Sequence, residues 1–489
     1  MQTNTDFSVP DFFAKYEKPL FWSSGVMAVA CFLAGIYYHF QLLFVLPFAL
    51  LFPALLILNF RIVFFLMLFV MPVSVETYLG SFGTDLPSEP LVMVLAVCTL
   101  FYLIFHYDEI RNPVYKHPIA VLLLLMFGWS IFATLFSTDV FLSIKYLLAK
   151  SWYLLGFFIL PIILLRTKNS LKLFFWCLFI PTLLSVIFVM IRHGIMGFTF
   201  DTITNAVHPI YRNHVNYAVF ITMLLPFIFL AKSWYASNSL LHKLLKFSIP
   251  LFLAAIYLSY TRGAWLAVVA MMVYFLVLKY NLTKYVLVAV SVVAMLFSAY
   301  ILKDNNYLKY APNYEHTIYH DELADHLSST FEMEDMSTVE RFYRWIAAVH
   351  LFKEHPLVGV GPNNFVSNYK QYTVTAYETY ISDNEEKSTV HNYFLLLLTE
   401  QGLPAFFLYV VLLCVILLTA QKSYTSGTEI QKNYIAAITL CIIVFLLNNT
   451  LSDLVEANKL GSLFFMCLAL LVNFSVNTIE LEEKKSSVN

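Results

Sequence analysis

Long apolar runs alternate with short polar breaks over most of the chain. A helix needs about 20 apolar residues, within a range of about 17 to 25, to cross a bilayer. Runs near that length lie at 20–38, 42–58, 62–75, 90–105, 118–136, 151–165 and 171–191. Further runs lie at 215–231, 247–260, 264–278, 285–302, 404–420, 434–451 and 460–474. The pattern predicts an all-α polytopic membrane protein with about 12–14 transmembrane helices. Residues 1–302 would hold the N-terminal helices, about eleven of them by the same length criterion. Residues 303–390 would form one large loop region, 391–476 the C-terminal helices and 477–489 a tail.

The long loop region is polar and rich in Tyr, His, Asp and Glu in its first half. Its centre predicts an amphipathic helix near 338–354. Ser337 and Glu340 have capping-box spacing, Val339, Phe342, Ile346 and Val349 recur on one face, and His355-Pro356 stops it. Gly359-Val-Gly-Pro-Asn-Asn-Phe365 then predicts a turn.

Composition agrees: 60% of the 489 residues are hydrophobic and 12% charged, where a soluble domain carries about 25% charge. A net charge of -1 supplies no basic field for nucleic acid. The six cysteines, Cys31, Cys98, Cys177, Cys414, Cys441 and Cys467, all fall in apolar segments and read as small buried hydrophobes. Residues 1–18 carry mixed charge and no cleavage pattern follows the first apolar run, so the first helix reads as a retained anchor.

Orientation follows from where the cations sit, because cytoplasmic loops retain Lys and Arg. With the N-terminus inside, the inward loops hold thirteen Lys and Arg, from Arg61 to Lys432. The short outward loops hold six: Lys145, Lys150, Arg192, Arg212, Arg262 and Lys459. Both termini are therefore expected inside and the long loop outside.

Outward loops should be poor in Arg, yet Arg212 and Arg262 stand at helix ends there, in Tyr211-Arg-Asn-His-Val-Asn-Tyr217 and Ser259-Tyr-Thr-Arg-Gly-Ala-Trp265. An Arg near the hydrocarbon boundary normally has a partner. It can be a neighbouring carboxylate or carbonyl, or a ligand phosphate bound by the planar guanidinium fork. His391 opens Val390-His-Asn-Tyr-Phe-Leu-Leu-Leu-Leu-Thr-Glu-Gln-Gly402, where the long loop re-enters the membrane. A continuous helix over 391–420 would be about 45 Å long, against a hydrocarbon core of about 30 Å. His391 should then stand at or above the outer boundary, with a kink at Gly402 or Pro404 below it. An imidazole there is either an interfacial hydrogen-bonding group or a general base. His316, His320 and His326, with Asp321, Glu322 and Asp325, match no tight metal-ligand spacing and read as a solvated acidic loop.

At these residues the chain resembles the O-antigen ligase and polymerase superfamily of membrane glycosyltransferases, which use undecaprenyl-pyrophosphate-linked glycans. The resemblance rests on Arg212 to Tyr217, Ser259 to Trp265, His391 to Gly402, and Glu340 to Phe365 with its Arg, Trp, His-Pro and Gly-x-Gly-Pro-x-Asn-Phe pattern. Ala405 stands where the family's ligases often carry Gly, Thr or Tyr, which bears on the ligase assignment more than on the superfamily. The resemblance implies a GT-C-like fold and a metal-independent, inverting transfer on the periplasmic side of the cell inner membrane, without a cofactor. It further implies Arg212 and Arg262 on the pyrophosphate and His391 deprotonating the acceptor hydroxyl. Arg341, Arg344, His214 and Asn392 would lie around the substrates, the two arginines either as further cations or on a solvated helix face.

The acceptor is a lipid A-core sugar in a ligase, a growing glycan in a polymerase, or a Ser or Thr hydroxyl in a protein O-oligosaccharyltransferase. The ligase pattern fits best. A polysaccharide flippase or secondary transporter would also be a large helical bundle, but it should show repeated halves and polar groups at mid-membrane. The candidate groups here instead cluster at one face. From the charge tally, a reporter fused after Asn306 should be exposed outside and one fused after Ser423 inside. The reverse labelling pattern would overturn the orientation.

Overall fold

The computed structural model describes residues 59–79, 82–105, 114–303, 336–369, 372, 389–479 and 481. The expected spans 20–38 and 42–58, Cys31 and the stretch 316–326 lie outside the described residues. The other twelve expected spans are all helical. Ten of these helices are long and apolar enough to cross a membrane and two are shorter, so the chain is a multi-pass, all-α membrane protein.

In chain order the elements are α1 (Asn59–Val73), a hairpin of β1 (Val75–Leu79) and β2 (Phe82–Leu86), α2 (Ser88–Phe105), α3 (Pro118–Thr134), α4 (Val140–Leu164), α5 (Lys168–Ile195) and α6 (Phe200–Val207). There follow α7 (His214–Lys232), α8 (Leu240–Tyr257), α9 (Arg262–Lys279), α10 (Thr283–Leu302), α11 (Met336–Glu354) and α12 (Phe365–Tyr369). The last three are α13 (Tyr393–Ser426), α14 (Glu429–Asn449) and α15 (Asn458–Ser475). Polar residues in the breaks start several helices by taking up first-turn N–H groups. Asn213 accepts from Asn216 N at 2.8 Å, and Thr428 with Gln431 forms a full capping box.

Three details depart from the sequence pattern. Val75–Leu79 and Phe82–Leu86 pair as antiparallel strands, with Val75 opposite Leu86 and Glu76 opposite Asp85, because the Val, Thr and Tyr of the first strand suit a pleated ladder. Lys145 and Lys150 lie within α4, not in a loop, and Lys150 is paired with Glu456 at 3.0 Å. Arg192 likewise lies in the last turn of α5. The segment 153–159 of α4 is wound as a π-helix, and Gly156 lets it approach α2 so closely that a Cβ would fall 2.5 Å from Val92 Cγ2.

Burial separates hub from rim. The α15 span is 83% buried and the α7 span 78%, whereas α10 is 6% buried, so α7 and α15 are surrounded by protein and α10 presents its side chains to the bilayer. Lipid tails are as apolar as those side chains, so packing and hydrogen bonds, not hydrophobicity, hold such helices together. At one end Asn473 Nδ2 donates to Ile162 O at 3.1 Å, Gln421 Nε2 to Leu278 O at 3.0 Å, and Ser475 Oγ meets His117 Nε2 at 3.0 Å. At the other end Asn392 Nδ2 donates to Thr450 O at 2.9 Å, Trp345 Nε1 to Val390 O at 3.1 Å and Asn458 Nδ2 to Asp85 Oδ2 at 2.9 Å. That second end gathers the connections the charge pattern assigns to the outside.

α13 is two helices in series. Gly402 has φ 74° and ψ −172°, a conformation open to Gly at little cost. The break frees the carbonyls of residues 399–401, which must find donors at this depth. Val360 N donates to Thr399 O and Gly361 N to Glu400 O, both at 2.9 Å, and Trp129 Nε1 donates to Gln401 O at 2.8 Å. In return Leu403 N donates to Pro356 O at 2.9 Å. The Glu400 carboxylate accepts from Asn363 N at 2.7 Å and Phe365 N at 3.0 Å. The expected turn at 359–365 is thus a plug in a broken helix. Asn364 fastens it to the corner between α3 and α4: its Nδ2 donates to Ser137 Oγ and Ser143 Oγ at 2.9 Å each, and its Oδ1 accepts from Asp139 N at 2.9 Å.

Below the break, residues 403–426 alone extend about 36 Å, enough to cross a hydrocarbon core of about 30 Å. The segment 393–401 therefore adds about 13 Å above it. A Cβ on Gly402 would fall 2.1 Å from Leu357 O, and a backbone region that is essentially open to glycine alone costs another residue about 1–3 kcal/mol. Gly402→Ala should lower the thermal unfolding temperature of the purified protein by several degrees. Gly128→Ala, where nothing lies within 4 Å, should leave it within error. Equal unfolding temperatures for Gly402→Ala and wild type would contradict the plugged-break description.

Candidate active site

Arg212 sits between two fixed neighbours. Tyr211 is buried against Tyr217, with ring centroids 5.1 Å apart, and its hydroxyl meets Ser185 Oγ at 3.0 Å. On the other side Asn213 caps α7. Arg212 itself is exposed and makes no ion pair within 4 Å among the described residues. Its charge reaches both Asp85 and Asp453, favouring their ionised forms.

Arg262 opens α9 beside this segment, since Thr261 Oγ1 donates to His214 O at 3.4 Å. Gly263 lets α9 close on α14, where a Cβ would fall 2.7 Å from Asn448 Oδ1. His214 ties α6 to α7, its Nδ1 meeting Thr204 Oγ1 at 3.1 Å.

His391 does not begin a helix, contrary to expectation. It has φ 54°, and α13 starts two residues later under the Asn392 cap, whose Oδ1 accepts from Leu395 N at 3.0 Å. Since Asn392 Nδ2 also holds Thr450 O, both ends of that amide fix the position of its neighbour His391. The left-handed turn aims the imidazole at the loop between α14 and α15. There its Nδ1 lies 3.9 Å from Asp453 Oδ1, and 30% of the side chain remains exposed. Thr389 Oγ1 donates to the other carboxylate oxygen of Asp453.

The remaining neighbours come from α11. From residue 341 on, the residues buried on this helix are Arg344, Ile346, Ala347, Ala348 and Leu351, while Phe342 and Val349 are half-buried, so of the face the periodicity suggested Ile346 is buried and the packed stripe is centred on 344, 347, 348 and 351. Arg344 is 3% exposed, which places it on the packed face against α13 and not on a solvated one. Arg341 lies three residues earlier, about one helical turn away.

These groups act on one another electrostatically. Burial, and then the positive charges of Arg344, Arg341 and Arg212, push the His391 imidazole from its ordinary value down to about 3. A cation placed among cations is disfavoured, so the ring is neutral at neutral pH. Burial raises the Asp453 carboxyl, against the opposing pull of the Thr389 hydrogen bond, Arg212 and Arg344. Asp85 is raised by burial as well, against the hydrogen bond from Asn458 and the charges of Lys459 and Arg212.

The structure thus brings Arg212, Arg341 and Arg344 within electrostatic reach of His391, with Asn392 next to it in the chain and with His214 and Arg262 on the segments that meet through Thr261 beside Arg212. Sequence reading passed over Asp453. The signal was an acid in a short connection between two apolar runs, Asn449-Thr-Leu-Ser-Asp453, on the side that also holds Arg212. The cysteines carry none of this: Cys98, Cys177, Cys414, Cys441 and Cys467 are free thiols within helices.

No curated protein matches the chain. Residues 247–410 match the family model described as O-antigen ligase. The stretch holds Arg262, Arg341, Arg344 and His391 and covers about a third of the chain, and it supports the O-antigen ligase superfamily as the one this chain resembles.

Proposed function

We propose that this protein transfers a glycan from an undecaprenyl-pyrophosphate donor to an acceptor hydroxyl on the periplasmic side of the inner membrane, with a lipid A-core sugar as acceptor. The family match supports an O-antigen ligase-like or polymerase-like membrane glycosyltransferase, and with it a lipid-linked glycan and a glycan acceptor as substrate classes. The observation that carries the finer reading is the convergence of three arginines on one neutral histidine, with Arg212 making no ion pair among the described residues. A dianionic pyrophosphate complements such a cluster, and guanidinium forks bind its oxygens bidentately.

The chemistry follows from the roles these groups can fill. The acceptor O–H gives its proton to His391, and the oxygen attacks the anomeric carbon. The bond from that carbon to the phosphate oxygen breaks, and its electron pair leaves with undecaprenyl pyrophosphate. Nδ1 faces Asp453, which leaves Nε2 for the acceptor. Asp453 would orient the ring and stabilise the imidazolium as it forms. Arg212 and Arg262 would hold the pyrophosphate, and Arg341 and Arg344 would add cations where negative charge develops on the leaving group. His214 and Asn392 contribute by fixing the segments that carry Arg212 and His391. Direct displacement inverts the sugar carbon, and nothing in this sequence of steps requires a metal ion.

Two outcomes follow. His391→Ala should keep donor binding in nanodiscs but lose about 10² to 10⁴ in turnover, the worth of a positioned base. Arg212→Ala should weaken donor binding as well, and Arg212→Lys should restore it poorly because a point charge lacks the fork. Near-normal transfer by His391→Ala would remove it from catalysis.

The second outcome concerns pH. The arginines disfavour the imidazolium in the empty site, whereas bound pyrophosphate offsets their charge and favours it. The acid limb of kcat/KM, which reports the free enzyme, should therefore lie well below pH 6.5, and that of kcat, which reports the complex, at higher pH. Coincident limbs near pH 6.5 would show that the arginines do not act on the base.

A further inference from the structure

Lys459, the first-turn lysine of α15, stands apart from the other outward cations in what it touches. Its Nζ donates to three backbone carbonyls: Pro72 O at 3.1 Å, Ser74 O at 2.8 Å and Ile210 O at 2.5 Å. An ammonium has three N–H donors, and here every one is taken by backbone. The ammonium also lies 4.5 Å from the centroid of the Tyr211 ring, within cation–π range. The nearby carboxylate of Asp85 is held instead by Asn458 Nδ2. Lys459 is therefore a clamp on main chain, where a surface ion pair would have spent its donors on carboxylates.

The clamped chain is the one that presents Arg212. Residues 208–213 form no helix, and across 209–212 the backbone bonds among described residues reduce to Tyr211 N to Val207 O at 3.1 Å. The turn is held by the Ile210 carbonyl on Lys459, the Tyr211 ring between Lys459 and Tyr217, the Tyr211 hydroxyl on Ser185 and, at its start, the His208 carbonyl on Arg192; among the described residues the Lys459 bond is the side-chain bond that grips the main chain of 210–212. The same ammonium ties it to Pro72 and Ser74, at the end of α1 and the start of the hairpin that carries Asp85. We propose that Lys459 is a positioning residue for the donor site, fixing residues 210–212 so that the Arg212 guanidinium is held toward a bound pyrophosphate. The proposal rests on the reading of Arg212 as a pyrophosphate ligand. Lys459 itself touches no substrate.

The test measures binding of undecaprenyl pyrophosphate to the full chain in nanodiscs. Lys459→Met keeps the length of the side chain and removes the ammonium. It should weaken binding about tenfold, the order expected from loss of hydrogen bonds to a charged group, and should raise the donor KM more than it lowers kcat. In an Arg212→Ala background the same change should cost little more, because two residues acting through one contact are not additive. A purely structural role would give the same loss in both backgrounds, and that additivity would overturn the proposal. Should Lys459→Met fail to fold, Lys459→Arg keeps the charge. Its planar fork cannot serve three carbonyls arranged around one point, so donor binding should still fall at least about threefold; wild-type binding by a folded Lys459→Arg would equally overturn it. If Arg212→Ala alone leaves binding unchanged, the pyrophosphate reading fails whatever Lys459 does. If Arg212→Ala weakens binding and Lys459→Met does not, only the clamp fails.

Discussion

A helix broken inside a membrane protein leaves backbone groups that water cannot reach, and in α13 those groups are met by another piece of chain. The break at Gly402 frees carbonyls at 399, 400 and 401; N–H groups of residues 360 and 361 answer the first two and Trp129 Nε1 the third, while the Glu400 side chain takes two more N–H groups of the plug. Much else depends on this exchange. It docks the end of the loop region onto the membrane helices, it sets α11 against the upper half of α13, and so brings Arg341 and Arg344 to His391. It also raises that upper half above the part of α13 long enough to span, and the imidazole with it.

The electrostatics of the cluster follow from the same placement. Arg344 is buried, and a buried guanidinium is tolerated where partners or a ligand answer its charge. Its charge reaches Asp453, which burial raises, and an imidazole that burial and three arginines drive toward its neutral form; Asp85, also raised by burial, lies within reach of Arg212. On the proposed function, such a site would favour an incoming dianion twice over: the anion would relieve repulsion among the arginines and would make the neighbouring histidine a better base. Binding and activation of that base would then be one electrostatic event.

Much of this fold was legible because membrane helices are specified locally. Length and apolarity of a run decide whether it spans, and the twelve spans that fall on described residues are helices. Boundaries shifted where charges interrupt an apolar count, as Lys145 and Lys150 do in α4. The site was legible in part. Arg212, Arg262 and His391 could be singled out because charged groups at the ends of apolar runs are uncommon, and the kink because Gly402 and Pro404 are strong breakers. The buried face of α11 was legible only in part: of the expected positions Ile346 is buried and Phe342 and Val349 are half-buried, whereas the packed stripe is centred on Arg344, Ala347, Ala348 and Leu351. Asp453 and Lys459 were beyond reach for a related reason. Their partners lie 62 residues before in His391 and 249 residues before in Ile210, and nothing local marks either as more than a loop charge.

That contrast bears on how a membrane protein can hold a cluster of charged side chains at one end of its helices. Side chains on exposed turns are mobile unless their backbone is fastened, and here each turn in the cluster is fastened by a polar group from a distant helix. Asn392 reaches Thr450, Trp345 reaches Val390, Thr389 reaches Asp453 and Lys459 reaches Ile210. The first three join the segment that carries His391 to the elements that carry Asp453 or Arg344, and the last joins the segment that carries Arg212 to α15. The hydrophobic effect, which positions such elements in a soluble enzyme, gives little preference between helix and lipid. Geometry at this end of the bundle is therefore set by a small number of hydrogen bonds to main chain, which is why α15, the most buried span, can dictate the conformation of a turn in front of α7.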